Sequence, residues 1–599
     1  MHSIPSMMVR PMGARRTGRI ENAWTYLILD GYVDEPAALG VPPFLSPQAR
    51  SIAGGLVSGG AEEDEVGYIT VDQWRSIRGK DGRIPWSPHL EWIVLLSGCV
   101  VPGKYLRGTP ISNREVLELE DSLEGPEMVV CGPAAKGTRT THSLRIGGDP
   151  GVLGESLASS GKPADRDRTE EEWSHHLKEG AFIVEKHPDH PFPLICEIET
   201  TRGCPRFITG GCSFCSEPGK GPHQTREPLE VVDEVRALSR KGTENIRIGG
   251  QSDLLSYGSD QIGREEAPRP DPRIVEELMS GAKEALHEGL GVSKALSLGR
   301  RLGIDTGIVH TDNANPAVAF HHPEETKRVL EVLVRHTTPG TVLALGLEST
   351  DPEVREASNL NAGPEEARAA VMLMNEIGAD RGENGMPRLL PGLNFLGGLR
   401  GQTPESFRMD LDFLKGLLSS RLLLRRINIR GVRLSGPEGA AISPLLDGAL
   451  LKSFKDFKEK VRGEMDPLFM GLVVPERTVL RGVFIEAASG HTFFGRQIGS
   501  YPILVGISHR TGLDSFRDIV ITRHSSRSLT GIEVPVRINS MSFRDLQCLP
   551  GVSHKRAAGI FRSMPIRSMH QLDRFGVEGW VTEYVDLGNE GAEPVEKNR

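Results

Sequence analysis

Residues 196–215 read CEIETTRGCPRFITGGCSFC, and the fold prediction for the chain starts from this segment. It begins in a predicted strand at 194–199 and continues into a loop that carries Cys204, Cys212 and Cys215 in the spacing C-x7-C-x2-C. Three thiolates can hold three irons of a cubane iron–sulfur cluster and leave the fourth iron open to an outside ligand. The stretch therefore predicts one [4Fe–4S] cluster on the loop that leaves a strand.

Two alternative roles for these cysteines stay open. A structural zinc site wants four ligands in two pairs, whereas the chain has one C-x2-C pair and Cys196 lies mid-strand, a poor position for a fourth ligand. Three unrelated cysteines are the second alternative. Seven cysteines in 599 residues are too few for a disulfide scaffold. Because three of them fall within twelve residues, we favour metal binding or redox chemistry in a reducing compartment.

Strand and helix patterns alternate on either side of this loop, from about residue 192 to residue 436. Helices are predicted at 228–241 and from Pro272 onward, with Asp271 as N-cap, and the charged, proline-rich segment 258–272 is predicted to be an inserted loop. Repeated strand-then-helix units indicate a parallel sheet with outer helices, so the fold class is α/β. The strands are predicted at 194–199, 245–249, 306–310, 342–347, 393–397 and 427–432.

Over about 190–440 the chain resembles the radical S-adenosylmethionine (SAM) superfamily. The usual family spacing is C-x3-C-x2-C, so the first gap is longer here, and Phe214 supplies the aromatic residue that typically precedes the last cysteine. After the next strand the family has Gly-Gly-Glu, whose backbone meets the amino group of SAM; this chain has Gly249, Gly250 and Gln251 there. Glycines permit close approach of backbone to a ligand. An ordinary strand-end turn is the alternative for the glycine pair.

Two later segments extend the resemblance. Leu345-Gly346-Leu347-Glu348-Ser349 is similar to the family's fourth strand, where polar side chains meet the ribose of SAM, so Glu348 and Ser349 are candidate contacts. Helix capping is the alternative role for Glu348. The segment 394–405, which contains Gly397 and Gly398, resembles the fifth strand and its turn, which lie beside adenine in the family. The sixth strand begins near 428–430.

The resemblance implies a partial (β/α)6 barrel with two cofactors, a [4Fe–4S] cluster and SAM. Its open iron would bind the amino and carboxylate groups of SAM and pass an electron to the sulfonium, which yields a 5′-deoxyadenosyl radical. Cys204, Cys212 and Cys215 would then be both the metal ligands and the residues on which catalysis depends. An electron donor such as ferredoxin or flavodoxin is the implied redox partner.

The N-terminal part, 20–146, is predicted to be a Rossmann-like α/β domain because apolar runs stop at glycines, and the Gly-, Ser- and Pro-rich segment 147–185 is predicted to be a linker. Its architecture resembles the domains that precede the core in cobalamin-binding radical SAM enzymes and in methylthiotransferases. The turn 30–35 lacks the histidine of the cobalamin signature, although binding without it is open. Cys99 and Cys131 are too few for a full second cluster, and buried small side chains are the alternative.

Residues 463–539 are predicted to form a small all-β barrel, since short β-prone runs alternate with glycine and polar turns. The segment resembles the TRAM-like barrels of several tRNA-modifying enzymes. Small barrels bind nucleic acid by stacking bases on aromatic side chains beside basic groups. Burial in the barrel core is the alternative for Phe494 and Tyr501. The candidate nucleic-acid contacts are Phe493, Phe494, Arg496 and Tyr501.

Residues 540–575 resemble a helix-hairpin-helix, with the turn Pro550-Gly551-Val552 at the start of a helix. This segment holds six Lys and Arg against two Asp and Glu, a local net charge of +4, and Gly551, Lys555 and Arg556 are the candidate phosphate contacts. Protein docking is the alternative use. The tail 577–599 is acidic and is predicted to be mobile. The combination of the three cysteines, the barrel and the hairpin resembles an archaeal-type group of radical SAM proteins with a C-terminal helix-hairpin-helix. That group has no settled substrate.

The composition narrows the class of protein. The formal net charge of −9 argues against coating nucleic acid by bulk charge, while a local basic patch remains compatible with it. No uninterrupted apolar run reaches the ~20 residues that span a bilayer, and the basic N-terminus lacks the apolar stretch of a secretory signal. We therefore expect a cytoplasmic protein.

Three functions compete at this level. The first is a radical SAM enzyme that modifies tRNA or another nucleic acid. The second is a radical SAM enzyme that acts on a protein or small molecule, with the C-terminal modules docking a partner. The third is a nucleic-acid-binding protein with a purely structural cluster; Gly249, Gly250 and Glu348 argue against it because they predict a SAM site.

Overall fold

The computed structural model describes most of the chain, including six of the seven cysteines. Cys99, residues 33–35 of the cobalamin comparison and residues 589–599 of the acidic tail lie outside the described residues. The described residues are 23–32, 44–78, 86–98, 109–291, 307–436, 439–525 and 527–588, with Lys294, Gly299 and Gly303.

The predicted parallel core is confirmed, with small shifts at the strand ends. Neighbouring core strands pair in parallel and in chain order, so each connection returns over the sheet through a helix. The third strand is interrupted at Asp312, and its two pieces join the first half of the barrel to the second. The six core strands are Ile195–Glu199, Asn245–Gly249, Ile308–Thr311 with Asn313–Ala314, Thr341–Glu348, Leu389–Gly397 and Arg426–Gly431.

Most helices around this core begin where the sequence places proline. Asp271, as predicted, caps the helix Pro272–Leu290 by accepting a hydrogen bond from the backbone of Arg273. Proline suits this first position because its missing N–H would have no partner there. The helices of the core are Pro228–Arg240, Pro272–Leu290, Pro316–His321, Pro323–His336, Pro352–Ala357, Pro364–Gly378, Pro404–Ser419 and Gly448–Lys460.

The N-terminal part forms a second, five-stranded parallel sheet, as the Rossmann-like prediction requires. Its first strand lies second in the sheet, the order of doubly wound flavodoxin-like folds. The strand Val66–Thr70 had no counterpart in the sequence prediction. In sheet order the strands are Val66–Thr70, Tyr26–Asp30, Trp92–Leu96, Glu127–Cys131 and Leu144–Arg145, accompanied by the helices Val71–Ile77 and Asn113–Asp121.

The segment predicted to be a linker is instead largely helical. Pro150–Ser160 and Glu170–Glu179 pack on the helix Pro47–Ser58, and Gly180–Lys186 adds a short 3₁₀ segment. Its glycines serve close helix contact: a Cβ on Gly151 would lie 2.3 Å from the Ser51 hydroxyl oxygen. The strand Phe44–Leu45, just before the 47–58 helix, pairs with the first core strand and extends the core sheet.

The C-terminal part contains a closed five-stranded barrel, as predicted, but helix precedes it. Residues 461–473 are helical, as Val461–Met465 and Asp466–Val473, so the strands begin at Val479 rather than near residue 463. The barrel packs on the amino-terminal ends of the core strands through Val342 and Leu390. Its strands are Val479–Ser489, Thr492–Gln497, Leu504–Ile507, Ser515–His524 and Ser528–Val534.

The predicted hairpin region follows the barrel and packs on its outer face through Val520 and Ile532. Short helices account for half of residues 540–575, as Phe543–Leu546, His554–Arg562 and Met569–Asp573, and a fourth, Gly579–Thr582, lies in the predicted tail. Part of the predicted tail is therefore folded, because Val585–Asp586 pairs with Val536–Arg537.

Within the described residues, none of the helices combines the length and the apolar character needed to cross a bilayer.

Candidate active site

The three cysteines lie at the carboxyl end of the first core strand. After Ile195–Glu199 the chain forms the short strand Thr201–Arg202, and Cys204 immediately precedes a 3₁₀ turn at Pro205–Thr209. Cys204 and Cys212 are partly exposed, and Cys215 is exposed. The loop thus presents its thiols at the edge of the barrel opposite the C-terminal domain.

The surroundings of the three sulfurs fit an iron–sulfur cluster. Partial loss of solvation raises the pKa of all three thiols, that of Cys212 to about 12, and the charge of Glu348 further raises the pKa of Cys212. A backbone amide donates a hydrogen bond to each sulfur and lowers its pKa: Arg206 to Cys204, Asn361 to Cys212 and Glu217 to Cys215. Amide donors to cysteine sulfur are a common feature of cluster sites. Among the described residues, the three cysteines included, no group of three His, Cys, Asp or Glu side chains is arranged to hold a single metal ion.

Gly249, Gly250 and Gln251 end the second core strand beside this loop. A Cβ on Gly249 would lie 1.9 Å from Glu197 Oε1, and Gly250 has a left-handed backbone with φ of +65°. The Gln251 side chain is buried, accepts a hydrogen bond from the Thr200 hydroxyl at 3.3 Å and donates one to Ile248 O at 3.1 Å. The glycines are therefore required for strand packing, and the Gln251 amide holds the strand ends together.

Glu348 ends the fourth core strand in a conformation that is rare for a side chain other than glycine. Its φ is +61°, and the carboxylate folds back over Gly346. Burial raises its pKa to about 8, whereas the guanidinium of Arg206 lowers it. Among the described residues no group donates a hydrogen bond to this carboxylate, although it is only 8% exposed. A carboxylate in a strained backbone conformation, with no protein donor to it among the described residues, is a strong candidate for ligand contact.

The remaining predicted SAM contacts mostly support the loop. Ser349 is buried and its hydroxyl oxygen accepts a hydrogen bond from the Asp351 amide at 3.3 Å. Phe214 packs into an apolar group that includes Leu399, so it anchors the last cysteine turn against the fifth strand. A Cβ on Gly397 would lie 2.6 Å from the Phe454 ring, and Gly398 has a φ of +91°. These residues therefore position the strand ends around the loop.

Two candidate nucleic-acid contacts of the barrel lie elsewhere than predicted. Arg496 is 2% exposed and pairs with Glu486 at 2.9 Å. Tyr501 enters the core barrel, where its hydroxyl donates to Asp312 at 2.7 Å and the Arg426 guanidinium lies 3.9 Å over its ring. Neither side chain is presented to a nucleic acid, so this prediction is corrected: Arg496 forms an ion pair within the small barrel, and Tyr501 contacts the interrupted third strand of the core.

The predicted hairpin residues are on the surface. Gly551 has a φ of +75°, Val552 is buried beneath the turn, and Lys555 and Arg556 are exposed at the start of the next helix. Lys555 has no ion-pair or hydrogen-bond partner among the described residues. The Arg556 guanidinium donates to Gly551 O at 2.5 Å, so it also holds the turn.

One residue of the site was missed by the sequence prediction. Arg206, in the long gap between the first two cysteines, donates a hydrogen bond to Cys212 Sγ at 3.2 Å and is 4% exposed. Its main partner, Asn359, is 153 positions away in the chain. An arginine between two cluster cysteines was the one local signal, and it does not identify so distant a partner.

The parallel core strands, with three thiols on the loop after the first of them, are compatible with an iron–sulfur enzyme of the barrel type. The family model for the radical SAM superfamily matches residues 198–414. An uncharacterised protein of Methanocaldococcus jannaschii is 36% identical over 530 residues, which cover 84% of this chain and 92% of that protein. The chain belongs to the radical SAM superfamily, and it is an enzyme that uses a [4Fe–4S] cluster and SAM.

More distant similarities are partial. The tRNA-2-methylthio-N(6)-dimethylallyladenosine synthase of Staphylococcus epidermidis is 30% identical over 128 residues, 21% of each chain. A solved structure of the radical SAM methyltransferase TsrM from Kitasatospora setae is 14% identical, with a TM-score of 0.37 over 78% of this chain and 79% of that one.

Proposed function

We propose that Cys204, Cys212 and Cys215 hold the [4Fe–4S] cluster and that Glu348 binds the ribose of SAM. When bound, the cluster supplies the electron that cleaves SAM to a 5′-deoxyadenosyl radical. The unpaired Glu348 carboxylate is the observation that carries this proposal: its charge and that of Arg206 both act on Cys212, so it lies beside the cysteine loop. The backbone at Gly249 and Gly250 completes the SAM site. These glycines end the second core strand, which pairs with the strand that leads into the cysteine loop.

Glu348→Ala is expected to weaken SAM binding by about 1–3 kcal/mol, the usual contribution of a hydrogen bond to a charged group. The cluster should stay assembled because no iron ligand is removed. Calorimetric titration of the iron-loaded protein with SAM measures the loss, and Glu348→Gln separates the charge from the shape of the side chain.

Glu353→Ala is the matched control for Glu348, since Glu353 is an exposed carboxylate on the next helix. Its SAM affinity should equal that of the wild type. Equal affinity in Glu348→Ala would assign Glu348 to a structural role.

We infer further that the substrate is a nucleic acid, with tRNA favoured. The hairpin turn around Gly551 points toward solvent beside Lys555, in a segment with a local net charge of +4. A helix N-terminus with an adjacent lysine can bind the phosphate backbone of a nucleic acid, and such contacts do not depend on the base sequence. The similarity to a tRNA-modifying synthase, over 21% of the chain, supports the same substrate class.

One contact favours the alternative, a protein partner docked on the hairpin. A Cβ on Gly551 would lie 2.8 Å from Glu578 Cγ, so a carboxylate stands next to the turn. Its Oε2 accepts a hydrogen bond from the Trp580 indole at 2.5 Å, which holds it there. A fixed carboxylate repels phosphate and is compatible with a basic protein surface.

Lys555→Ala is expected to weaken binding of bulk tRNA about five- to tenfold near ~0.1 M salt and to flatten the salt slope by roughly one unit, the effect of one lost phosphate contact. Arg556→Ala should add to this loss. Fluorescence anisotropy with labelled tRNA at several salt concentrations measures both quantities. SAM cleavage without RNA should not change.

Lys452→Ala is the control, on the helix Gly448–Lys460 of the core. If Lys555→Ala bound tRNA with the wild-type affinity and slope, the hairpin would be assigned to protein docking. The substrate would then belong to the second class, a protein or small molecule.

A low-potential electron donor is the second proposed partner. Cys215 is the exposed member of the three cysteines, so the cluster edge nearest solvent lies on its side of the loop. A ferredoxin or flavodoxin is expected to deliver its electron there.

A further inference from the structure

We propose that Arg206 is a positioning residue that sets the reduction potential of the cluster through Cys212. The inference rests on the proposed ligand role of Cys212. The inference assigns a function to the seven residues between Cys204 and Cys212, because Arg206 is one of them.

The guanidinium of Arg206 lies in hydrogen-bond contact with the sulfur of Cys212. The Arg206 Nη1 atom donates to Cys212 Sγ at 3.2 Å and to Asn359 O at 2.9 Å, and Nη2 donates to Asn359 Oδ1 at 3.1 Å. Nε lies 3.4 Å from Glu266 Oε2. With an exposed fraction of 4%, the guanidinium is screened from water, and each of its nitrogens is engaged.

Asn359 holds the other side of the same loop. It has a left-handed backbone, with φ of +48°, and its side-chain amide donates to Gly211 O at 2.7 Å. The preceding residue, Ser358, accepts a hydrogen bond from the Ser213 amide at 3.0 Å. Gly210 and Gly211 both take positive φ, which lets the gap turn sharply back to Cys212. The gap is therefore folded around the Arg206–Asn359 pair.

The electrostatic consequence has a definite sign. Reduction adds one electron to the cluster and makes it more negative by one charge. A buried cation that donates a hydrogen bond to a cluster sulfur stabilises the reduced form more than the oxidised form. Arg206 thus raises the midpoint potential and makes the cluster easier to reduce.

The test is a redox titration of iron-loaded enzyme, followed by electron paramagnetic resonance, with iron content measured in parallel. Arg206→Met removes the charge and should lower the ratio of reduced to oxidised cluster about tenfold at a fixed potential near the midpoint. For a one-electron couple this corresponds to a shift of about 59 mV to lower potential. Arg206→Lys keeps a charge near Cys212 and should restore most of the shift.

Arg202→Gln is the matched control. Arg202 lies on the same loop and bonds to Asp167 at 2.8 Å, and it donates to none of the three sulfurs in the described structure. Its midpoint potential should be that of the wild type.

The outcomes separate this inference from the proposed ligand set. A fully iron-loaded Arg206→Met enzyme with the wild-type potential would overturn the inference and leave the ligand proposal intact. Equal loss of iron in Arg206→Met and Arg206→Lys, without a change in potential, would make Arg206 purely structural. Full cluster content in Cys212→Ala would reject the ligand proposal itself.

Discussion

Alanine in place of Cys204, Cys212 or Cys215 will remove the iron–sulfur absorbance near ~400 nm and all SAM cleavage, because each thiolate supplies one iron ligand. Two thiolates cannot retain a cubane with a single open iron. Iron content, the visible spectrum and 5′-deoxyadenosine formation measure the loss after anaerobic reconstitution. This is the largest effect that we expect from any single side chain.

Two buried cysteines serve as controls for these variants. Cys131 ends a strand of the N-terminal sheet and Cys196 lies within the first core strand, and both are 0% exposed. Their replacement by alanine removes one buried atom, which costs about 1 kcal/mol of stability. Iron content and SAM cleavage should stay unchanged. If Cys131→Ala lost half of the iron, the chain would carry a second cluster.

The core fold could be predicted because its signals are local. Strand Asn245–Gly249 ends at a glycine that packs on the first strand, and Asp271 with Pro272 marks a helix start. Such signals depend on residues within a few positions of each other. The cysteine spacing is local in the same way. It predicted the loop on which the thiols lie, and the ligand role of those thiols stays a prediction.

The errors share a physical cause, which is dependence on distant contacts. Tyr501 in a β-barrel suits base stacking, but its hydroxyl bonds to Asp312, 189 positions earlier in the chain. The segment 147–185 looked like a linker because of its glycines. Gly151 and Gly154 are instead where its helix touches the helix Pro47–Ser58. Only the folded chain shows whether a glycine marks flexibility or close packing.

A buried ion network holds the N-terminal helices and the core together. Glu234, on the helix Pro228–Arg240, is 0% exposed and pairs with Arg50 at 2.6 Å and with Arg226 at 2.5 Å. Arg50 lies on the helix Pro47–Ser58 and also donates to Glu197 O at 2.6 Å. Arg226 donates to Glu199 O at 2.9 Å. The network therefore fixes the strand that leads into the cysteine loop.

Glu234→Gln is expected to destabilise this junction by about 3–5 kcal/mol, because two buried guanidinium groups lose their shared counter-charge. Such a loss raises the rate of local amide hydrogen exchange roughly a hundred- to a few thousandfold, since each ~1.4 kcal/mol is a factor of ten. Exchange should accelerate in the helix Pro47–Ser58 and in the strand Ile195–Glu199. Iron content should fall as well, because that strand carries the cysteine loop.

Glu230→Gln, on the same helix, is the control that removes the charge of an exposed carboxylate instead of a buried one. Glu230 is exposed and accepts a hydrogen bond from the Ser174 hydroxyl at 2.7 Å, so the loss of its charge should cost at most about 1 kcal/mol. Exchange in the first core strand should then match that of the wild type. If amide exchange in the first core strand of Glu234→Gln also matched that of the wild type, the two arginines would be stabilised by their main-chain carbonyl acceptors alone. The junction would in that case depend on apolar helix packing, and Gly54→Leu, whose Cβ would lie 1.8 Å from His176 O, would be the variant that disrupts it.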